Sequence, residues 1–427
     1  MKSTLIAVTL GLLALTSCAT YSAREPNPYD RFRVGDSYLS DFYLFDEAVP
    51  NEPGRLLRQE TLSEKQKLAQ AATNIRLLYS STNGLTGQGT LPVSGALFLP
   101  KGEAPEGGWP LMAWTHGTVG IADVCAPSWN GRQAQDEEYL NRYLARGYAV
   151  VASDYQGLGT KGTHPYLHTR AAAYSNLDII RAVQGAGFPV SNRTVLFGQS
   201  QGAAAAIATA DYAPDYAPEI ELVGIVATGA PYFTPAALDA LDRIRKPEDV
   251  DPMLGYTFLA MTLAQQVDSS FTIRDYVADA AWPVAERVDD TCYADIKQMV
   301  TEAQLSRANS FAQNPREILR TAFAAMGYPD LKLSAPVFFG TGGQDKDTPP
   351  RMQAGLVMAL CRAGTVVYSK LYPSLDHRGV VLPSSVDSIP FVAAAFASEE
   401  ISGNCDDLPV NGNKVPVSHL RLKLGLG

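Results

Sequence analysis

One serine of the chain lies in the segment Gly198-Gln199-Ser200-Gln201-Gly202, with a glycine two residues before it and two residues after it. An apolar run enters this segment and an alanine-rich run leaves it, which predicts a strand, a tight turn and a helix. In that context the G-x-S-x-G pattern is typical of a nucleophile elbow, whose strained turn exposes the hydroxyl at the start of a helix. We therefore predict that Ser200 is a nucleophile and that the amide of Gln201 is one donor to an oxyanion.

A nucleophilic serine needs a base to take its proton and a carboxylate to fix the tautomer of that base. Of the five histidines, only His377 follows a late predicted strand, so we predict that it is the general base. The loop after the preceding strand contains Asp345 and Asp347. We favour Asp345 as the orienting acid and keep Asp347 as the alternative, whereas Asp376, next to the histidine, is interpreted as structural.

A second oxyanion donor is expected in the loop after the first parallel strand, where the sequence reads Thr-His-Gly-Thr over 115–118. Small residues allow this backbone to approach the nucleophile. We predict the donor amide at Thr118 or one residue earlier at Gly117, and we interpret His116 as a hydrogen-bonded structural residue.

These residues must be positioned by a scaffold, and the sequence alternates between apolar strand-like runs and helical runs. Strands are predicted at 75–80, 92–99, 111–114, 149–153, 194–198, 222–228, 337–340 and 366–371. Helices are predicted at 63–72, 136–146, 171–186, 201–213, 350–363 and 386–399. Strands that are apolar on both faces and alternate with helices predict an α/β fold with a mostly parallel sheet, whose first two strands form an antiparallel edge.

The alternation is interrupted between about 228 and 337, where helical patterns occur at 235–246, 253–267, 295–308 and 315–326. We predict an inserted helical cap over 231–333, between two parts of an α/β-hydrolase core at 61–230 and 334–408. A tether and an irregular arm at 18–60 precede the core, and a tail at 409–427 follows it. The apolar run 253–261 can either pack on neighbouring helices or line a slot for an acyl chain.

The N-terminus has a basic end, an apolar run over 5–15 and small residues before Cys18, which is typical of a secretory signal over 1–17. The ending Leu-Thr-Ser-Cys resembles the lipobox of bacterial lipoproteins, which implies cleavage before Cys18 and its lipidation. Ala19 then favours sorting to the outer membrane. An ordinary signal peptide is the alternative, and in either case the protein is expected to be exported.

Composition is that of a globular protein, with 46% apolar and 19% charged residues, and the formal charge of -9 argues against nucleic-acid binding. Apart from Cys18, the cysteines form an even set, which predicts two disulfides in an oxidising compartment but leaves three pairings open. This set comprises Cys125, Cys292, Cys361 and Cys405. Its spacing does not fit zinc, and we predict neither a metal nor a cofactor. The oligomeric state stays open.

Several of these segments together resemble the secretory lipase family of α/β-hydrolases, over roughly residues 60 to 408. They are 114–118, 125–127, 153–159 and the elbow at 198–202, with acid and base segments at 342–349 and 376–377. The resemblance implies a helical cap over an acyl tunnel, ester substrates and no metal, and it pairs Cys125 with Cys292 and Cys361 with Cys405. The lipobox, and the glutamines at 199 and 201, depart from the usual family pattern.

The predicted function is hydrolysis of carboxylic esters through an acyl-enzyme intermediate. The enzyme is predicted to be a lipase or an esterase, and triacylglycerol lipase is one of the activities that this prediction covers. A serine exopeptidase of the same fold is the alternative, although acidic residues to hold a substrate amine are not evident. A short-chain or aromatic-acid esterase is a further alternative to a lipase. A non-catalytic binding module would usually lack one triad member, whereas this chain has all three.

Overall fold

The computed structural model of the chain describes residues 27–32, 39–244, 246–410 and 413–415. The predicted signal segment, Cys18 and most of the predicted tail lie outside the described residues. The described strands are β1 (Leu56–Thr61), β2 (Ala71–Thr82), β3 (Thr90–Pro100), β4 (Trp109–Thr115), β5 (Ala149–Ser153), β6 (Val190–Gln199), β7 (Glu221–Thr228), β8 (Val337–Gly342), β9 (Val367–Tyr372), β10 (Leu408–Val410) and β11 (Asn413–Val415).

Nine of these strands form one sheet in the order β1-β2-β3-β5-β4-β6-β7-β8-β9. β1, β2, β3 and β5 pair antiparallel, and every pair from β5 to β9 is parallel. The carboxyl ends of the parallel strands therefore meet at one edge of the sheet, where loops can bring distant residues together. The mostly parallel sheet with an antiparallel edge agrees with the prediction.

The helices that pack on this sheet belong to both of its faces, as the buried residues show. They are α1 (Pro127–Asn130), α2 (Ala134–Leu144), α3 (Thr169–Gly185), α4 (Gln201–Tyr216), α12 (Pro350–Ala363) and α13 (Val381–Ala397). Along β6, Leu196 joins a core cluster with α3, α4 and α12, whereas Val195 and Phe197 join a second cluster with α2 and α13. Because successive strand side chains point to opposite faces, both faces of the sheet are covered, and the strands are apolar on both sides.

A third cluster of buried apolar residues lies in the helices between β7 and β8, which we call the cap helices. They are α5 (Pro235–Ile244), α6 (Leu254–Val267), α7 (Ile273–Tyr276), α8 (Trp282–Ala285), α9 (Tyr293–Glu302), α10 (Arg307–Ser310) and α11 (Arg316–Ala325). Phe258 and Ile296 are fully buried in this cluster, so the cap helices have a core of their own. Among the described residues, no helix is long and apolar enough to cross a membrane.

Two predictions near the N-terminus are wrong. The helix expected at 63–72 is only a 3₁₀ turn at Glu64–Gln66, and β2 already begins at Ala71. The boundary drawn between an irregular arm and the core at 60/61 cuts through β1, which pairs with β2 and forms the true edge of the sheet. The polar sequence of β1 hides it, because an edge strand with a half-exposed burial pattern has no apolar alternation to detect.

Two disulfides are present, as the even set of cysteines predicted. Cys125 pairs with Cys292 and Cys361 pairs with Cys405, the pairing that the family resemblance implied. The first connects the loop after β4 to the start of α9 in the cap helices. The backbone reinforces this connection, because the amide of Tyr293 donates a hydrogen bond to the carbonyl of Val119, with the nitrogen and oxygen 2.8 Å apart. The Cys125–Cys292 disulfide and this hydrogen bond together form the cap tie.

Candidate active site

Ser200 occupies a sharp turn between the end of β6 and the start of α4. Its backbone has φ 58° and ψ -123°, a strained conformation for a residue with a side chain. The flanking glycines make this turn possible. A Cβ on Gly198 would lie 2.2 Å from the side-chain oxygen of Thr115, and one on Gly202 would lie 1.9 Å from the carbonyl oxygen of the same residue. The elbow predicted from the sequence is therefore present, with the strand, turn and helix in the expected order.

Asp345 and His377 meet at the same edge of the sheet, in the loops after β8 and β9. The Nδ1 atom of His377 lies 2.7 Å from Oδ2 of Asp345, and both side chains are buried. Oδ2 also accepts from the hydroxyl of Thr348 and from Nε2 of Gln353, each at 2.9 Å. Oδ1 accepts from the amides of Asp347 and Thr348, also at 2.9 Å. Donors on both oxygens hold the carboxylate in one orientation.

The second ring nitrogen of His377 is buried and has no hydrogen-bond partner among the described residues. Since Nδ1–H donates to Asp345, Nε2 is the unprotonated nitrogen that can accept a proton. The backbone carbonyl of His377 accepts from Nε2 of Gln199 at 3.1 Å, which ties the histidine loop to the residue before the nucleophile. The end of β7 lies between the two elements. The Ser200 amide donates to the Thr228 carbonyl, and a Cβ built on Gly229 would lie 3.1 Å from the imidazole ring of His377.

The structure therefore brings Asp345, and not the alternative Asp347, to His377. The half-buried Asp347 carboxylate instead accepts from the hydroxyl of Tyr256 on α6, at 3.3 Å between the oxygen atoms. Asp376 is exposed, and its Oδ1 accepts from the amide of Gly379 at 2.7 Å, where it shapes the turn before α13. This contact fits the structural interpretation of Asp376.

The loop predicted to supply an oxyanion donor lies next to the nucleophile. A Cβ built on Gly117 would lie 3.9 Å from the Cβ of Ser200, so this backbone runs beside the serine. The hydroxyl of Thr118 bonds to the hydroxyl of Tyr166 at 2.9 Å. Gln201 is the first residue of α4, where backbone amides have no partner within the helix and can point at an anion.

Two buried histidines, His116 and His164, contact residues that adjoin the nucleophile. His116 stacks on Tyr155 with ring centroids 4.2 Å apart, and its ring nitrogens contact the carbonyls of Gly117 and Asp154. His164 donates from Nδ1 to the carbonyl of Gln156 at 2.9 Å, so its Nε2 can accept from the Gln201 carboxamide at 3.1 Å.

Burial lowers the pKa of both imidazoles, and it lowers that of His164 to about 3. Both rings are therefore neutral at neutral pH. The sequence placed His164 only in a turn before a helix. Its support of Gln201 depends on a contact between distant segments, which no local pattern reports.

A cavity of about 120 Å³ opens at Ser200 and is lined mainly by apolar side chains. It shares lining residues with a second cavity of about 510 Å³ in the cap helices, so the two spaces adjoin. The shared residues are Met253, Thr257, Leu319, Asp347 and Met352. On α6, Tyr256 and Ala260 line the cavity at Ser200, the inner of the two, whereas Phe258 and Leu259 are buried among the cap helices. The apolar run 253–261 thus both packs on neighbouring helices and lines a cavity.

No group of three or more histidine, cysteine, aspartate or glutamate side chains in the described part of the chain could hold a metal ion. The site contains a strained serine, an imidazole hydrogen-bonded to a buried carboxylate, and backbone amides close by. Together with the order of the sheet, this arrangement defines the class of α/β-hydrolases.

The chain belongs to the secretory lipase family, whose family model matches residues 128–367. Among curated proteins it is 26% identical to lipase A of Moesziomyces aphidis over 54% of this chain and 50% of that protein. It is 27% identical to the "probable inactive lipase MT1628" of Mycobacterium tuberculosis over 51% of each. The match thus spans about half the length of these relatives. The crystal structure of Candida antarctica lipase A in its closed state shares the fold, with a TM-score of 0.68, 18% identity and 94% of both chains covered.

Proposed function

We propose that the protein hydrolyses carboxylic esters by two-step acyl transfer, with Ser200 as nucleophile, His377 as general base and acid, and Asp345 as the orienting carboxylate. The observation that carries this proposal is the 2.7 Å contact between His377 Nδ1 and Asp345 at the edge of the sheet where the strained Ser200 also lies. Membership of a family described as secretory lipases supports the same reaction.

In the first step, His377 Nε2 takes the proton of the Ser200 hydroxyl while the oxygen attacks the ester carbonyl. The imidazolium that forms is stabilised by the Asp345 carboxylate, which its own donors hold in place. His377 then gives the proton to the leaving alcohol. In the second step, water activated by the same nitrogen attacks the acyl-enzyme and releases the acid.

The developing oxyanion is bound by the backbone amide of Gln201 and by an amide of the loop at Gly117 and Thr118. Each such donor contributes about 3 kcal/mol to the stabilisation of the transition state. Two features support this assignment: Gln201 is the first residue of α4, and Gly117 runs beside Ser200. The hydrogen bond from Gln201 to His164 fixes the side chain of Gln201, and so it helps to define the position of that amide.

The mainly apolar cavity at Ser200 supports an acyl chain as the buried part of the substrate. The adjoining larger cavity in the cap helices provides room for the rest of a bulky ester, which favours a lipase or a broad esterase. Two disulfides support export to an oxidising compartment. Lipidation of Cys18 and attachment to the outer membrane are proposed on the lipobox-like ending alone, and a Cys18→Ser variant that remains in the membrane fraction would contradict them.

The decisive experiment compares wild type with Ser200→Ala on p-nitrophenyl esters of several chain lengths. We expect kcat/KM to fall by about 10⁴-fold or more, because the nucleophile is removed while the binding site remains. Ser269→Ala is a matched control, since that serine is exposed and lies in the cap region. Labelling by a fluorophosphonate should occur in wild type and the control and be absent from Ser200→Ala.

Full activity in Ser200→Ala would overturn the assignment of the nucleophile. Lack of both turnover and labelling in the wild-type protein would instead indicate an inactive family member, as the name of the mycobacterial relative suggests for that protein.

A further inference from the structure

The carboxylate of Asp347 is an unusual group in the cavity at Ser200, because most of the lining is apolar. Asp347 lines both the inner cavity and the larger outer one, so it stands where the two spaces adjoin. Its only side-chain hydrogen bond is the 3.3 Å contact from Tyr256, and no cation lies within ion-pair distance of it among the described residues. Oδ1 therefore has acceptor capacity that the protein itself does not use.

The other polar side chains at this end of the cavity already have partners. The Gln201 carboxamide donates to His164, and the Thr348 hydroxyl lies 2.9 Å from both Asp345 and the Gly229 carbonyl. The hydroxyl of Tyr256 is committed to Asp347 itself. Asp347 thus differs from these neighbours in being a carboxylate with a single side-chain hydrogen bond from the described residues.

Tyr256 is well placed to hold this carboxylate at the cavity wall. Its ring stacks on Tyr293 with centroids 4.3 Å apart and an interplanar angle of 21°. Burial and the nearby Asp347 charge raise the pKa of the Tyr256 hydroxyl, so it remains a donor at neutral pH. Because one face of Tyr256 is covered by Tyr293, the pair does not form an open aromatic cage for a quaternary cation.

The position of Asp347 indicates that it lies near the alcohol part of an ester substrate. Phe233, Phe323 and Met326 line the cavity at Ser200 but not the larger cavity, and they suit an acyl chain. With the acyl chain there, the alcohol part of the ester extends toward the larger cavity, which Asp347 also lines. A carboxylate there is desolvated by an apolar alcohol without receiving a donor in exchange, which costs free energy.

We propose that Asp347 is a specificity-determining residue that accepts hydrogen bonds from hydroxyl groups on the alcohol part of the ester. The preferred substrates are then esters of polyols that keep at least one free hydroxyl, in contrast to esters of simple alkanols. This inference rests on the proposed ester hydrolysis and adds the class of alcohol to it.

Two substrates with the same acyl group test the inference: glycerol monobutyrate and propyl butyrate. Both give the same butyryl-enzyme, so the ratio of their kcat/KM values reports the leaving alcohol alone. We expect wild type to favour glycerol monobutyrate, and Asp347→Leu to lower that ratio by about tenfold to a hundredfold, as for loss of a hydrogen bond to a charged group. Asp347→Asn, which keeps one neutral acceptor, should lower it by a smaller factor.

Two further variants separate recognition from packing. Tyr256→Phe removes the donor that holds the Asp347 carboxylate but leaves the carboxylate itself, so it should lower the ratio by a smaller factor than Asp347→Leu. Asp275→Asn makes the same chemical change as Asp347→Asn at an exposed carboxylate of the cap helices and should retain the preference for glycerol monobutyrate. Folding of each variant is checked by circular dichroism and by labelling of Ser200 with a fluorophosphonate.

Equal losses on both esters in Asp347→Leu and Asp347→Asn would show that Asp347 acts only on the structure and would overturn the inference. An unchanged ratio in both variants would overturn it as well, while ester hydrolysis itself would stand. Failure of the wild-type protein to hydrolyse either ester would overturn the proposed function, and this inference with it.

Discussion

The loops at the edge of the sheet and the cap helices hold their polar groups in different ways. At the edge, the Asp345 carboxylate receives donors on both oxygens, and the Gln199 side chain holds the His377 backbone. In the cap helices, burial is mainly apolar, and one 3.3 Å hydrogen bond from Tyr256 reaches the acid loop. The carboxylates of Asp345 and Asp347 are therefore held by very different numbers of hydrogen bonds, although the two residues are only two positions apart.

The difference indicates that the sheet edge and the cap helices have separate roles, in the reaction and in substrate recognition. Bond making and breaking need groups fixed to within fractions of an ångström, and rigid strand ends with many hydrogen bonds provide that. Recognition of variable substrates tolerates looser contacts and uses shape and a small number of polar groups. We expect substitutions at the sheet edge to lower the reaction rate for every ester, and those in the cap helices to change which ester is preferred.

The largest expected effect separates the two aspartates. Asp345→Asn should lower kcat/KM for p-nitrophenyl butyrate by about 10⁴-fold, because an amide favours the wrong tautomer of His377. Asp347→Asn should lower it by at most about tenfold, since that side chain does not contact the imidazole. Steady-state kinetics of the two variants measure this. A larger loss in Asp347→Asn than in Asp345→Asn would reverse the assignment and break the comparison.

The next effect compares glycines. Gly202→Ala places a Cβ 1.9 Å from the Thr115 carbonyl oxygen, and the backbone cannot yield, so we expect at least about 3 kcal/mol of destabilisation. Gly255→Ala on α6 meets only the side chains of Ile296 at 3.1 Å and Tyr293 at 3.3 Å. There the gain of about 1 kcal/mol in helix propensity offsets the crowding.

Urea unfolding of both glycine variants measures the two changes in free energy. Equal destabilisation would mean that the cap helices are packed as strictly as the elbow.

A smaller effect depends on pH. Burial lowers the pKa of His164 to about 3, below the unfolded value of about 6.5, so its stabilising contribution is complete above pH 6.5 and is lost as the pH falls toward 3. Between pH 7 and pH 5 this amounts to about 2 kcal/mol. His164→Gln should show a correspondingly flatter dependence of the unfolding free energy on pH.

The cap helices contain no histidine in their sequence, so the loss of stability that His164 causes at low pH originates in the α/β core and not in the cap helices. Urea titrations of wild type and His164→Gln at the two pH values provide the measurement. An identical pH dependence in both proteins would contradict the predicted contribution of His164.

The smallest effect compares the disulfides. Loop-closure entropy predicts that removal of the Cys125–Cys292 bond, which spans 167 residues, costs about 1 kcal/mol more than removal of Cys361–Cys405, which spans 44. The two double serine variants are compared by thermal unfolding in the absence of reductant. We expect the first also to lower activity, because it loosens the loop at Gly117. A greater loss of stability from the second pair would contradict this order.

Much of the scaffold could be predicted because apolar runs alternate with helical runs at the spacing of a covered parallel sheet. The structure matches this pattern from β2 to α13. The elbow was also predictable, since glycines at 198 and 202 mark a local steric requirement. β1 was missed because an edge strand buries little, and the short helix at 63–72 was wrong because tertiary pairing extended β2 into its end.

The parts of the site that the sequence did not reveal depend on contacts between segments far apart in the chain. The bond from His164 to Gln201 spans 37 residues, and the bond from Gln199 to His377 spans 178. Gln353 on α12 is fully buried against Asp345, although nothing in its helix distinguishes it from a surface glutamine. Motifs identify groups that react, whereas the groups that support them are identified only by their neighbours in space.

The cap tie has a mechanical consequence. The cap helices are attached to the core by the chain after β7 and by the chain before β8, and the bond between Cys125 and Cys292 adds a third attachment. Each added attachment restricts the rotation of the cap helices relative to the core as one body. We therefore expect reduction of this one sulfur–sulfur bond to increase that rotation.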